Sequence, residues 1–91
     1  MLVFKEQELS PEDALAFAER VRGLVNDRTF LQLLEGAEGE CHREWETGKT
    51  ADAREAAWQR LQGIRALEKQ IQVTVDRGAR AASVLRGQKP A

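Results

Sequence analysis

Residues 39 to 50, GECHREWETGKT, gather the single His, the single Cys, one of the two Trp and a Gly-Lys-Thr triplet. Residues of these types serve phosphate binding, metal ligation or nucleophilic and acid–base catalysis. A phosphate loop requires Gly, four residues, then Gly-Lys-Ser/Thr, so that glycine amides wrap the phosphates between a strand and a helix. Arg43 stands where the first Gly should be, and the residues before Gly48 have helical periodicity. Gly48 therefore reads as a left-handed helix terminator, Lys49 as a turn residue and Thr50 as the cap of the next helix. Cys41 and His42 are adjacent and diverge on a helix, whereas structural zinc needs four converging ligands. Glu38, His42 and Glu46 share a face at i, i+4, i+8 spacing, the pattern of a solvated acidic face. Triads and acid–base pairs need a concave pocket that excludes water, and a thin helical hairpin has none of its own. No catalytic, metal-binding or cofactor-binding residue is expected, and the chain reads as non-enzymatic.

The elements that carry these residues follow from periodicity and capping. Ser10, Pro11, Glu12 and Asp13 form a helix start, with Leu9 placed for a staple contact. Ala14, Phe17, Ala18, Val21 and Leu24 then recur at i, i+3, i+4 and i+7, which predicts a first helix over residues 11–25. A second helix, 27–47, places Phe30, Leu33, Leu34, Ala37, Cys41 and Trp45 along one face and acids over much of the rest. Gly36 and Gly39 each cost roughly 1 kcal/mol in a helix interior relative to Ala, so close approach of another helix is expected there. Thr50 and Asp52 open a third helix over 51–86 that no proline interrupts. Its Ala57, Leu61, Ile64, Glu68, Ile71, Val75, Gly78, Ala82 and Leu85 trace a coiled-coil-like seam with a polar break at Glu68. Trp58, Leu67 and Val73 lie off that seam and predict a second contact face. Residues 1–10 form an N-terminal arm, expected to be loose, and residues 87–91 a tail.

The expected fold is all-α: a helical hairpin with a long C-terminal helix plus a short N-terminal helix, forming a single domain over 1–91. At 1.5 Å per residue the second helix spans about 30 Å and the third about 50 Å, so the last turns of the third outrun their hairpin partner. The first helix, other copies of the chain, or both must cover that overhang. With 91 residues, 42% of them hydrophobic, the core is small enough that oligomerisation is expected. Leu61, Ile64, Ile71 and Val75 are expected to carry the core, Ala82 and Leu85 to meet other subunits, and Trp45 and Trp58 to brace the hairpin turn.

Charge is polarised along the chain. Residues 1–49 hold 6 Lys and Arg against 11 Asp and Glu, and residues 50–91 hold 8 against 4. Arg77, Arg80, Arg86 and Lys89 follow the last acid, Asp76, so the C-terminal end suits phosphate or an acidic protein partner. The second helix is too acidic to enter a major groove, which argues against sequence-specific DNA reading. A lone Cys41 makes no internal disulfide and fits a small buried hydrophobe in a reducing compartment. No run approaches the roughly 20 apolar residues of a membrane span, and MLVFKEQELS turns charged too soon for a signal peptide. Protein partners are expected, including other copies of the chain, with non-specific nucleic acid as an alternative and no membrane.

The segment VNDRTFLQLLEG, the helix end EWETGKT, the stretch AREAAWQRLQGIRALEKQI and the Gly- and Ala-rich helical end that follows resemble the small helical proteins encoded among head and tail morphogenesis genes of tailed bacteriophages. The resemblance spans residues 25 to 82 and lies in helix, turn and Trp placement. It implies a virion or assembly component, located in the host cytoplasm during assembly or in the particle, and carries no site residues with it.

Overall fold

A computed structural model describes residues 4 to 87, and among them the chain is all-α. A short 3-10 turn, Glu6–Glu8, precedes three helices: α1 (Pro11–Val25), α2 (Arg28–Thr47) and α3 (Ala51–Gly87). Each start is capped as the residue types require. The Asp13 amide donates to Ser10 Oγ at 3.2 Å, the Phe30 amide to Asp27 Oδ1 at 3.1 Å and the Ala53 amide to Thr50 Oγ1 at 3.0 Å. Each cap satisfies an amide that has no partner within its helix.

Contacts divide the chain into two compact units. One combines the residues up to Leu24 with those from Ile71 onward; the other is Val25–Gln70.

In the Val25–Gln70 unit, α2 and the first half of α3 form a hairpin. Cys41, Ala57 and Leu61 are buried, flanked by half-buried Phe30, Leu34, Ala37 and Ile64. Gly48 ends α2, although not in the left-handed conformation expected of it: its φ is -61° and its ψ 124°. Glycine is needed there for space. A Cβ at position 48 would lie 3.0 Å from the Glu44 carbonyl oxygen and 2.8 Å from Arg54 Cγ. Arg54 closes the turn by donating from Nη1 to the Gly48 carbonyl at 2.9 Å. The close helix approach expected at Gly36 and Gly39 is absent, since a Cβ at either would meet nothing within 4 Å.

In the other unit, α1 packs on the α3 segment from Ile71 onward, so the first helix does cover the expected overhang. Contact is closest where Ala18 faces Gly78, and a Cβ at 78 would overlap the Ala18 Cβ. Ala18, Val21, Thr74, Gly78 and Ala81 are buried, while Ile71, Val75, Ala82 and Leu85 are half-buried. The buried line of α3 thus runs one residue N-terminal to the expected seam at both 75 and 82. A close helix crossing selects small side chains, as Gly78 against Ala18 shows, and Thr74 is buried with its hydroxyl on the Glu6 carboxylate.

The described part of the N-terminal arm, from Phe4 onward, is packed rather than loose. Phe4 packs edge-on against Phe17, with ring centroids 5.2 Å apart at 61°, and Glu6 is 8% exposed.

Candidate protein-interaction surface

The opening stretch lies on α2 and the turn after it, and the geometry separates its residues. Cys41 is buried in the hairpin; His42 is exposed. Among the described residues no three His, Cys, Asp or Glu side chains gather where they could hold a metal ion. No helix of the described residues is long and apolar enough to cross a membrane.

Two depressions flank the hairpin seam. The smaller, about 110 Å³, is lined by Cys41, His42, Trp45, Ala57, Trp58 and Leu61. Both Trp line this cleft, yet Trp45 is 47% and Trp58 42% exposed. Arg65 lies over the Trp58 ring with its guanidinium 5.8 Å from the centroid, a cation–π contact at the cleft edge. The larger depression, about 440 Å³, has Ala37, Cys41, Ile64 and Leu67 as its apolar lining, with Glu40, Glu44 and Arg60 among its charged lining. Arg60 pairs with Glu44, and both side chains are about half exposed, so water screens the pair and its contribution is small. Leu67 at 50% exposure and Leu33 at 68% leave apolar surface uncovered on this hairpin.

Glu68, read as a polar break in the seam, meets Glu38 across the hairpin. Its carboxyl is held above the ordinary glutamate range, first by a hydrogen bond with Glu38, then by desolvation and by the negative charge of Glu38; Arg65 opposes the shift. The acidic stripe of Glu38, His42 and Glu46 is therefore not wholly a solvated face.

In the other unit the basic end divides. Arg77 forms an ion pair with Glu6, its Nη1 2.9 Å from Oε2, and Thr74 Oγ1 donates to Glu6 Oε1 at 2.7 Å. Arg77 was expected to be free for phosphate; a nearly buried carboxylate holds its guanidinium instead. Arg80 and Arg86 are exposed and make no ion pair among the described residues. Lys89 lies outside the described residues.

Leu61 alone of the four expected core residues is buried; Ile64, Ile71 and Val75 keep part of their surface in water. The residues that sequence reasoning overlooked are Glu6, Thr74 and Ala81. Thr74, Gly78 and Ala81 do recur at spacings of four and three, a signal outranked by the larger Val75. A charged Glu6 within an arm of mixed composition carried no comparable signal.

No family model matches the chain, and searches of curated proteins and of solved structures likewise returned no match.

Proposed function

We propose that this chain is a non-enzymatic structural or assembly protein that works through helix–helix contacts with other proteins, in a bacteriophage particle or its assembly machinery. The observation that carries the reading is the inversion of side-chain size between core and surface. Among the described residues the buried hydrophobic ones are Ala18, Val21, Cys41, Ala57, Leu61 and Ala81, whereas Leu33, Trp45, Trp58, Leu67 and Val84 stand two-fifths or more exposed. A partner covering the exposed part of one indole, on the order of 100 Å², would gain on the order of 2.5 kcal/mol. On the hairpin, Trp45 and Trp58 line one cleft and Leu67 the larger groove, so its exposed apolar residues are gathered where a protein could dock. The assignment to a phage particle rests on the resemblance across residues 25–82.

A DNA-associated accessory role, in packaging or regulation, is the second reading, and exposed Arg80 and Arg86 favour it. With Arg77 engaged by Glu6, it keeps two of its four expected phosphate contacts among the described residues.

Light scattering at low and high salt, with and without duplex DNA, separates the two. A salt-resistant assembly indifferent to DNA is expected. A single-copy mass that joins DNA only at low salt, with affinity falling steeply as salt rises, would replace the structural reading with the accessory one.

A further inference from the structure

Two surfaces of this chain complement one another and belong to different units. The first is the larger groove of the α2/α3 hairpin, where Ile64 and Leu67 offer apolar surface and Glu40 is exposed without an ion-pair partner among the described residues. Its other acid, Glu44, is already held by Arg60. The groove therefore asks for an apolar side chain with a cation beside it. The second surface is the side of α3 that bears Val73, Arg80 and Val84. Spacings of seven and four place these three residues on one side of the helix. Val84 is 49% exposed, Val73 is half-buried and Arg80 is exposed and unpaired among the described residues. Asp76 lies one turn from Arg80, and its carboxylate accepts from Gln72 at 3.0 Å.

We propose that the Val73–Arg80–Val84 side of α3 in one copy docks into the α2/α3 groove of a second copy, with Arg80 set against Glu40. This deepens the functional reading above and rests on it, naming the partner as the chain itself. Because the two surfaces differ, the contact is heterologous, so each docked copy presents a fresh groove or a fresh helix side to the next. Head-to-tail growth follows, into a ring or a filament according to the rotation between neighbours. Opposite charge fixes which side of α3 enters, and the apolar residues supply most of the free energy.

Two substitutions at half-exposed positions test this without removing a buried group. Leu67→Lys blocks the groove and Val84→Lys blocks the helix side; far-UV circular dichroism checks that each remains helical. The parent is expected to gain mass with concentration in light scattering, and each variant alone to keep a single-copy mass. Mixed in equal amounts, the two should give a two-copy species that grows no further, since only one complementary pair survives. Glu40→Lys should abolish association, and adding Arg80→Glu to the same chain should restore it. A parent that associates while the mixture stays at single-copy mass would overturn head-to-tail docking and leave the assembly reading standing. A parent at single-copy mass at every concentration would overturn self-docking and assign the groove to another protein. Capture by duplex DNA at low salt, lost on Arg80→Glu, would overturn both.

Discussion

Glycines lie inside the helices at 23, 36, 39, 63 and 78, and the same substitution at two kinds of site should change stability in opposite directions. Replacing Gly by Ala in a helix interior gains about 1 kcal/mol, because Ala loses less backbone entropy on folding. At Gly36 and Gly39 the new methyl meets nothing within 4 Å, so that gain should appear nearly whole. At Gly78 it overlaps the Ala18 Cβ, which is fixed to the α1 backbone and cannot swing aside as the end of a long side chain can. Overpacking of a well-packed contact costs about 1 to 3 kcal/mol, and a direct Cβ overlap between two helices belongs at the upper end. Subtracting the propensity gain leaves Gly78→Ala about 2 kcal/mol less stable than the parent. Urea unfolding followed by far-UV circular dichroism measures all three variants; Trp fluorescence alone would not serve, since both indoles belong to the Val25–Gln70 unit. Adding Ala18→Gly to Gly78→Ala exchanges the two residues across the contact and should return stability to within about 1 kcal/mol of the parent. A Gly78→Ala variant as stable as the parent would refute the close crossing of α1 and α3.

The Glu6–Arg77 pair should respond asymmetrically. Arg77→Ala removes the cation beside a carboxylate that is 8% exposed and should cost about 3 kcal/mol, whereas Glu6→Ala leaves a guanidinium that can turn to water and should cost about 1 to 2 kcal/mol; equal losses in urea unfolding would show that the pair is not buried on the Glu6 side. Gly48→Ala should cost about 1 kcal/mol through contact with the Glu44 carbonyl, and a D-Ala at that position, introduced by chemical synthesis, should not rescue it because φ is already negative; full rescue by the D-residue would point to a left-handed turn. Glu68 holds its proton better in the folded chain than in the unfolded one, so the stability it contributes is complete below the ordinary glutamate range and is lost as pH rises through its raised value. Glu68→Gln should therefore raise Tm at neutral pH and flatten the dependence between mildly acidic and neutral pH. A lower neutral-pH Tm than the parent's would show that the Glu38 contact does not disfavour the ionised form.

Local signals were the most legible. Ser10 and Thr50 stand where capping chemistry needs an oxygen, and each accepts an amide of the helix that follows, as Asp27 does one residue inside the expected start of the second helix. The long third helix and its turn at Gly48 follow from an unbroken periodic run bounded by a cap and a glycine. What could not be read is which of two adjacent stripes on α3 faces a neighbour. Hydrophobicity favours Val75 over Thr74, but a buried carboxylate decides the choice: the Thr74 hydroxyl donates to it at 2.7 Å, and valine, of the same branched shape, has no hydroxyl to donate. That carboxylate belongs to Glu6, 68 residues away in the chain, and no periodicity within either segment records the pairing. Glycine is ambiguous for a similar reason. The same residue type marks a crowded turn at 48, a tight crossing at 78 and open space at 36 and 39, and only the neighbours distinguish them.

These neighbours also bear on why the surface is built as it is. A crossing of Ala on Gly brings backbones together but removes little apolar area from water, and among the described residues of the α1 unit the remaining buried hydrophobic side chains are Val21 and Ala81. Polar anchoring through Glu6, Thr74 and Arg77 then fixes geometry more than it adds stability, since a buried ion pair gives back much of its attraction in desolvation. The hairpin has a larger apolar inventory but leaves Trp45, Trp58 and Leu67 partly in water. Each unit thus leaves apolar groups half in water, Val84 on one and Leu67 on the other. A partner that binds these groups in the folded chain and not in the unfolded one stabilises the fold by mass action. On this account assembly and folding are linked equilibria. The small core is then the counterpart of a surface reserved for contact.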